Sequence, residues 1–200
     1  ISYSRNRGND AARGKYIMVM DQDDDNHPDR IKKQVAYMES QPWVTVSVVP
    51  ARLYGWPVDA TWIEDDIKLS LFFHNTIGHP NIMVKRQFLN DYKIRYTETI
   101  KCANDWDWLL QIRDNGGYFG VLFEKLFTYS GPRFSAGGIG KCQGEAEAIR
   151  KRFSDIQWSE KTDDAYFCDV IEMIQRTPKY ERLFTEGYLV FKNKKCLKER

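Results

Sequence analysis

The stretch Lys15-Tyr16-Ile17-Met18-Val19-Met20, followed at once by Asp21-Gln22-Asp23-Asp24-Asp25-Asn26, decides the fold class. A short apolar run without alternation has the length and character of a strand buried on both faces. The acidic residues cannot continue such a strand. Pro28 then stands where a helix begins, with Asp29 in the first turn near the positive end of its dipole. Ile31, Val35 and Met38 follow at i, i+4 and i+7 and predict the apolar face of that helix. Pro42 closes it, and Trp43 to Val49 is β-rich up to Pro50. Strand, acidic loop, helix, strand is an α/β arrangement. The loop sits at the carboxyl end of a strand, where open α/β sheets bind ligands.

Further along, the pattern is less regular. Residues 51–76 carry Tyr54, Trp56, Trp62, Phe72 and Phe73 without a clean period and read as a variable loop with one short helix. Asn81 to Val84 reads as a strand after His79-Pro80. A helix starts near Asp105, with Trp106, Leu109, Leu110 and Arg113 to one side, and Gly116-Gly117 ends it. Strands over Tyr118 to Phe123 and Leu126 to Tyr129 come next, then a glycine-rich stretch from Gly131 to Gly140. Helices are expected over 143–156 and 163–177, and the basic end from Lys192 should fray. We therefore expect a core over residues 1–140 and a helical extension of the same domain over 141–200.

Composition narrows the class. The chain has 200 residues, 30 Lys+Arg against 28 Asp+Glu, and is 42% hydrophobic, which is ordinary for a globular domain. A net charge of +2 gives no electrostatic case for nucleic acid as a partner. No apolar run approaches the roughly 20 residues of a membrane span. Cys102, Cys142, Cys168 and Cys196 form no C-x-x-C pair, so a zinc ribbon is excluded, and they read as reduced thiols of a reducing compartment. The opening Ile1-Ser2-Tyr3 is neither an initiator Met nor a signal peptide, so a processed chain, a trimmed chain or a fragment is expected.

Asp21, Asp23, Asp24 and Asp25 repel one another unless a cation or water screens them. A hard divalent cation takes oxygen ligands and keeps positions open for phosphates. The plain alternative is a solvated turn that caps the next helix. Three rival motifs fail on counting. An EF-hand loop beginning at Asp21 needs Gly sixth and Glu twelfth, where Asn26 and Lys32 stand. A P-loop around Gly137 to Lys141 meets Ser135 and Cys142, and a dinucleotide fingerprint from Gly138 meets Gln143. A second acidic cluster is Asn104-Asp105-Trp106-Asp107, read either as a helix N-terminus or as a catalytic carboxylate beside a tryptophan wall for a sugar. The three histidines are His27, His74 and His79; His79 is fixed in position by Pro80 and the short strand after it, and no spacing supports a Ser-His-Asp or Cys-His set.

In order along the chain, Ser4-Arg5-Asn6-Arg7-Gly8, Ala12-Arg13-Gly14-Lys15-Tyr16-Ile17, Met20-Asp21-Gln22-Asp23-Asp24, His27-Pro28-Asp29-Arg30, His79-Pro80-Asn81-Ile82-Met83 and Asp105-Trp106-Asp107-Trp108 resemble a family 2 glycosyltransferase of the GT-A fold. The resemblance covers about residues 4 to 130. It implies a GT-A-like mixed sheet flanked by helices, incomplete on its amino-terminal side, where the family's first strands grip the nucleotide base. Asp21-Gln22-Asp23 is similar to the family's D-x-D, which implies donor contact by Asp21 and a Mg²⁺ or Mn²⁺ ion held by Asp23 and Asp21. Arg5 resembles the arginine near the donor, Asp105 the general base of the E-D motif, and His79, Trp106 and Asp107 fall on the acceptor or sugar side. Two positions depart from the pattern. Asn104 stands in place of the motif's Glu, and Tyr129-Ser130-Gly131-Pro132-Arg133 lacks the family's histidine.

The function implied is transfer of a sugar from a nucleotide-diphosphate donor, most simply UDP-linked, to a glycan or lipid-linked acceptor hydroxyl, with inversion. Its setting would be cytoplasmic, including the inner face of a membrane. A carboxylate is needed to take the acceptor proton, and a cation to neutralise the leaving diphosphate. Hydrolysis by paired carboxylates has no call for a metal. The rivals are a sugar-phosphate nucleotidyltransferase and a non-enzymatic glycan-binding module built on Trp106 and Trp108. If the base-gripping strands are missing, the chain alone should bind UDP weakly, and its bare sheet edge should pair with another strand or a second copy.

Overall fold

The computed structural model describes residues 1–53, 71, 75, 77–129, 144, 145, 148, 149 and 152. It is a mixed α/β fold. Helix α1, Ser2–Ala11, opens the chain, and strand β1, Tyr16–Met18, follows. The acidic loop contains a two-residue strand, β2, Asp25–Asn26. Helix α2, Arg30–Ser40, leads into β3, Val46–Val48, and β4, Ala51–Leu53. A 3-10 turn, His79–Asn81, then feeds β5, Ile82–Lys85, which runs directly into α3, Arg86–Asp91. Helix α4, Asn104–Asp114, precedes β6, Phe119–Val121, and β7, Phe127–Tyr129.

The main sheet has the order β1-β5-β3-β6, and a smaller one the order β2-β7-β4. In the main sheet β5 runs antiparallel to both β1 and β3, with Ile17 opposite Val84 and Ser47 opposite Met83. β3 and β6 are parallel, with Ser47 opposite Gly120. In the smaller sheet β2 and β7 are antiparallel, which ties the acidic loop to Phe127 and Thr128. β1 lies at one edge of the main sheet, and its outer side is unpaired among the described residues. The core lies between this sheet and α4, where Val46, Val48, Ile82, Val84, Trp106, Trp108, Leu109 and Ile112 pack.

The elements expected on either side of the acidic loop form, with several corrections. The helix after Pro28 does not bury Ile31, which is 55% exposed; it buries Arg30, Gln34 and Met38. The reason is hydrogen bonding. Arg30 donates to Gln34 Oε1 at 2.9 Å, to Asn26 Oδ1, and to the Pro80 carbonyl at 2.6 Å. Gln34 in turn donates to the carbonyl and hydroxyl of Ser47 on β3. A polar ladder thus occupies the inward stripe, and burial alone pulls the Arg30 guanidinium down to about 10 against the opposing pull of Asp24. Ala51–Leu53 is a strand, where an irregular loop is expected. Helix α1 has no apolar period to announce it; it buries only Ser2 and Asn6. Helix α4 buries side chains all round, not one stripe. Gly116 closes it with φ +81°, and the Gly117 N–H returns to the Ile112 carbonyl at 2.9 Å. Helical residues Glu145 and Ile149 fall within the expected 143–156 helix, while the 163–177 helix lies outside the described residues. Among the described residues no helix is long and apolar enough to cross a membrane.

Candidate active site

Two acidic segments meet the ends of these elements. The first is the loop after β1. Asp21 is half-buried and Asp23 exposed, and the Asp24 N–H turns back to the Asp21 carbonyl at 3.4 Å. The loop is then pinned, because Asn26 joins β2 and the His27 N–H reaches the Leu126 carbonyl at 3.0 Å. Tyr129 on β7 lies against it: burial pushes its hydroxyl up, and the charges of Asp24, Asp23 and Asp21 push the same way. Arg30 braces the loop from inside through Asn26.

The second segment opens α4. Asp105 is not the cap of that helix; Ala103 is, and Asp105 stands one residue into it. Its Oδ1 accepts the Trp106 N–H at 2.8 Å, and its Oδ2 accepts the Asn75 amide at 3.0 Å. Burial pushes the Asp105 carboxyl above the usual carboxylate range, while the Trp106 N–H, the Arg5 guanidinium and the Asn75 amide pull it back. The N-terminal turn is served instead by Glu145, whose carboxylate accepts the N–H groups of Lys101, Cys102 and Ala103 at 3.0, 2.7 and 3.4 Å. Those bonds hold Glu145 below its ordinary value.

Between the two segments stands Tyr96. Its hydroxyl is 2.8 Å from His79 Nε2, and the Arg5 guanidinium lies over its ring at 5.4 Å from the centroid. Burial pushes that hydroxyl well above the usual tyrosine range; the charges of Asp105 and Asp21 add to the effect, and Arg5 opposes it. One tyrosine therefore feels both carboxylates proposed for chemistry. His79 is 5% exposed and, chiefly by burial, is pulled down to about 3, so it is a neutral imidazole at any ordinary pH.

The structure thus places His79 and Arg5 against Tyr96, whose hydroxyl also feels the charges of Asp105 and Asp21, with Asp23 on the same loop as Asp21. It does not bring Trp106 and Asp107 to a sugar. Trp106 is 4% exposed and donates its indole N–H to the Leu71 carbonyl at 2.8 Å, because a large ring at that position of α4 points into the core. Asp107 is fully buried, held by Thr97, Gln111 and Arg152. Trp108 is 1% exposed, so neither tryptophan offers the glycan platform that a binding module requires. Arg5, expected on the donor side, lies against α4 and donates to Asn104 Oδ1 at 2.7 Å. Tyr96, Asn6, Arg30 and Tyr129 were not legible as site residues. Tyr96 sits in an irregular stretch with no period to mark it.

No group of three His, Cys, Asp or Glu among the described residues can hold a metal. The donor set of Asp21 and Asp23 fits a hard cation only in the form that keeps water and phosphate ligands, not as an all-protein cage.

The sequence profile of glycosyl transferase family 2 matches residues 1–104, just over half of the chain. An uncharacterised glycosyltransferase of Methanocaldococcus jannaschii is 30% identical over 136 residues, covering 64% of this chain and 46% of its own length. Among solved structures, S. aureus TarS 1–349 in complex with UDP superposes with a TM-score of 0.60 at 16% identity, over 94% of this chain and 53% of that one. The complex of the same protein with UDP-GlcNAc gives 0.59 at 14% identity, over 94% and 68%. At such identities the likeness is one of fold, and the chain spans about half the length of the relatives named first. The profile match, the acidic strand end and the shared GT-A fold converge, and the chain belongs to glycosyl transferase family 2.

Proposed function

We propose that this chain carries the base-bearing and metal-binding part of a glycosyltransferase that moves a sugar from a nucleotide-diphosphate donor to an acceptor hydroxyl, with inversion. The observation that carries the reading is Asp105, a half-buried carboxylate at the start of α4 whose charge, like that of Asp21 in the acidic loop, reaches the Tyr96 hydroxyl. Asp105 is the base. Its carboxylate takes the acceptor proton as the new glycosidic bond forms and the nucleoside diphosphate leaves from the opposite side. Two hydrogen bonds orient it. Asp23, with Asp21, would hold Mg²⁺ or Mn²⁺, which when bound would supply positive charge against the leaving diphosphate. A UDP-linked donor is favoured because two of the similar structures hold UDP and UDP-GlcNAc. A glycan or lipid-linked hydroxyl is the acceptor class.

The test separates the two carboxylates in the full-length protein, with UDP-GlcNAc as donor. Asp23→Asn should weaken metal-dependent UDP binding by calorimetry and abolish turnover. Asp105→Asn should keep that binding and lose about 10²–10⁴ in rate. Turnover of Asp105→Asn within a few-fold of the parent would remove the base assignment. Pyrophosphate in place of UDP among the products would make the protein a nucleotidyltransferase.

A further inference from the structure

The Tyr96 ring is gripped on every side. One face stacks on Trp108, with centroids 5.0 Å apart and planes 7° from parallel. The Arg5 guanidinium lies over the ring, 5.4 Å from its centroid. The hydroxyl meets His79 Nε2 at 2.8 Å, with the two rings edge to face. Its backbone is clamped by Asn6, the residue next to Arg5 on α1, which accepts the Tyr96 N–H and donates to its carbonyl, both at 2.9 Å. Arg5 is thereby fixed from two directions, since its Nη1 also donates to Asn104 Oδ1 at 2.7 Å. Both supports are uncharged. A guanidinium held by an aromatic face and an amide keeps its charge for a third group, and Asn104 immediately precedes Asp105.

We propose that Tyr96 and Asn104 are positioning residues that hold the Arg5 cation at the start of α4, so that the half-buried Asp105 carboxylate remains ionised and able to accept a proton. A buried carboxyl otherwise drifts toward its neutral form. Burial is the largest influence on Asp105, and among charged side chains Arg5 is the one that opposes it. The other titratable groups around the cluster do not replace Arg5. His79 is neutral, pulled down to about 3, and Tyr96 is neutral, pushed up by burial. Asp21 acts on the Tyr96 hydroxyl with the wrong sign, and Asp107 on the same helix is turned to Thr97 and Arg152. A carboxylate at position 104 would share the Arg5 charge; the amide leaves it whole.

The consequence for turnover rests on the reading of Asp105 as the base, but the property itself needs no substrate. It is read by the carboxyl ¹³C titration of Asp105 in aspartate-labelled protein, assigned with Asp105→Asn. Arg5→Gln, which keeps an amide donor but no charge, should move the Asp105 midpoint to higher pH. A nearby opposite charge is ordinarily worth about 1–3 pH units. Tyr96→Leu and Asn104→Ala should move it in the same direction by freeing Arg5. Tyr96→Phe keeps the ring for Trp108 and Arg5, and should leave the midpoint with the parent. An unmoved midpoint in natively folded Arg5→Gln overturns the proposal. A shift in Tyr96→Phe equal to that in Tyr96→Leu also overturns it, because the hydroxyl and not the ring would then be responsible. If Tyr96→Leu does not fold, Asn104→Ala decides: no shift there refutes the positioning role. A failed transferase assay would leave this titration result standing, so the two ideas fail separately.

Discussion

Replacing Arg30 by Met tests whether α2 is anchored by its polar inner stripe. Methionine keeps an unbranched stem over the Phe127 ring, where the Arg30 guanidinium now sits 5.2 Å from the centroid. It removes the donors to Gln34 Oε1, Asn26 Oδ1 and the Pro80 carbonyl. A buried acceptor left unpaired costs about 1–3 kcal/mol. Gln34 is fully buried, so its oxygen stays dry, as does that of buried Pro80, whereas half-buried Asn26 can turn to water. Two dry acceptors therefore cost roughly 2–6 kcal/mol, and release of a desolvated cation offsets part of that. We expect a net loss of about 2–4 kcal/mol in urea unfolding followed by tryptophan fluorescence. Ile31→Ser on the same helix is the internal control: at 55% exposure it should change stability by no more than about 0.5 kcal/mol. The reasoning is refuted if Arg30→Met falls within that same range, or if Ile31→Ser proves the more damaging of the two.

Other outcomes follow from single sites. His79 has its folded value pulled from 6.5 down to about 3, so the unfolded chain binds the proton more readily between those values. The stability it contributes is complete above pH 6.5 and is lost as pH falls toward 3. Denaturation at pH 6.5 and pH 5 should differ by on the order of 2 kcal/mol from this group, and His79→Gln should flatten that difference. Gly117→Ala should cost about 1–3 kcal/mol in the same assay, since an added Cβ would run into the Ile112 side chain and stand 2.8 Å from its carbonyl oxygen. Trp106→Phe removes the donor to the Leu71 carbonyl and should lower thermal stability by about 1–3 kcal/mol without weakening saccharide binding; a selective loss of saccharide binding would restore Trp106 to the sugar side.

What the sequence determined by itself is local. The run Tyr16-Ile17-Met18 followed by carboxylates, then Pro28, allows one order of elements, strand, acidic loop and helix, and that order stands in the fold. Gly116-Gly117 likewise ends α4, because a positive φ is inexpensive only for glycine. Asp105 was readable as a carboxylate at a helix start, and Asp21 and Asp23 as a pair beyond a strand. The tertiary structure decided which faces turn inward. Counting apolar residues on α2 selects Ile31, but Arg30 and Gln34 are drawn in by acceptors on Pro80 and Ser47, 50 and 13 residues away along the chain. The same holds for Trp106 and Asp107, adjacent to Asp105 in sequence yet packed into the core and into a polar cluster. Tyr96 gives no local signal, and its place is set by Asn6, 90 residues earlier, and by Trp108 and His79. Periodicity records how a segment partitions between oil and water. It carries no record of which distant donors and acceptors must be satisfied together, and those pairings put Arg5 against Asn104 and Tyr96.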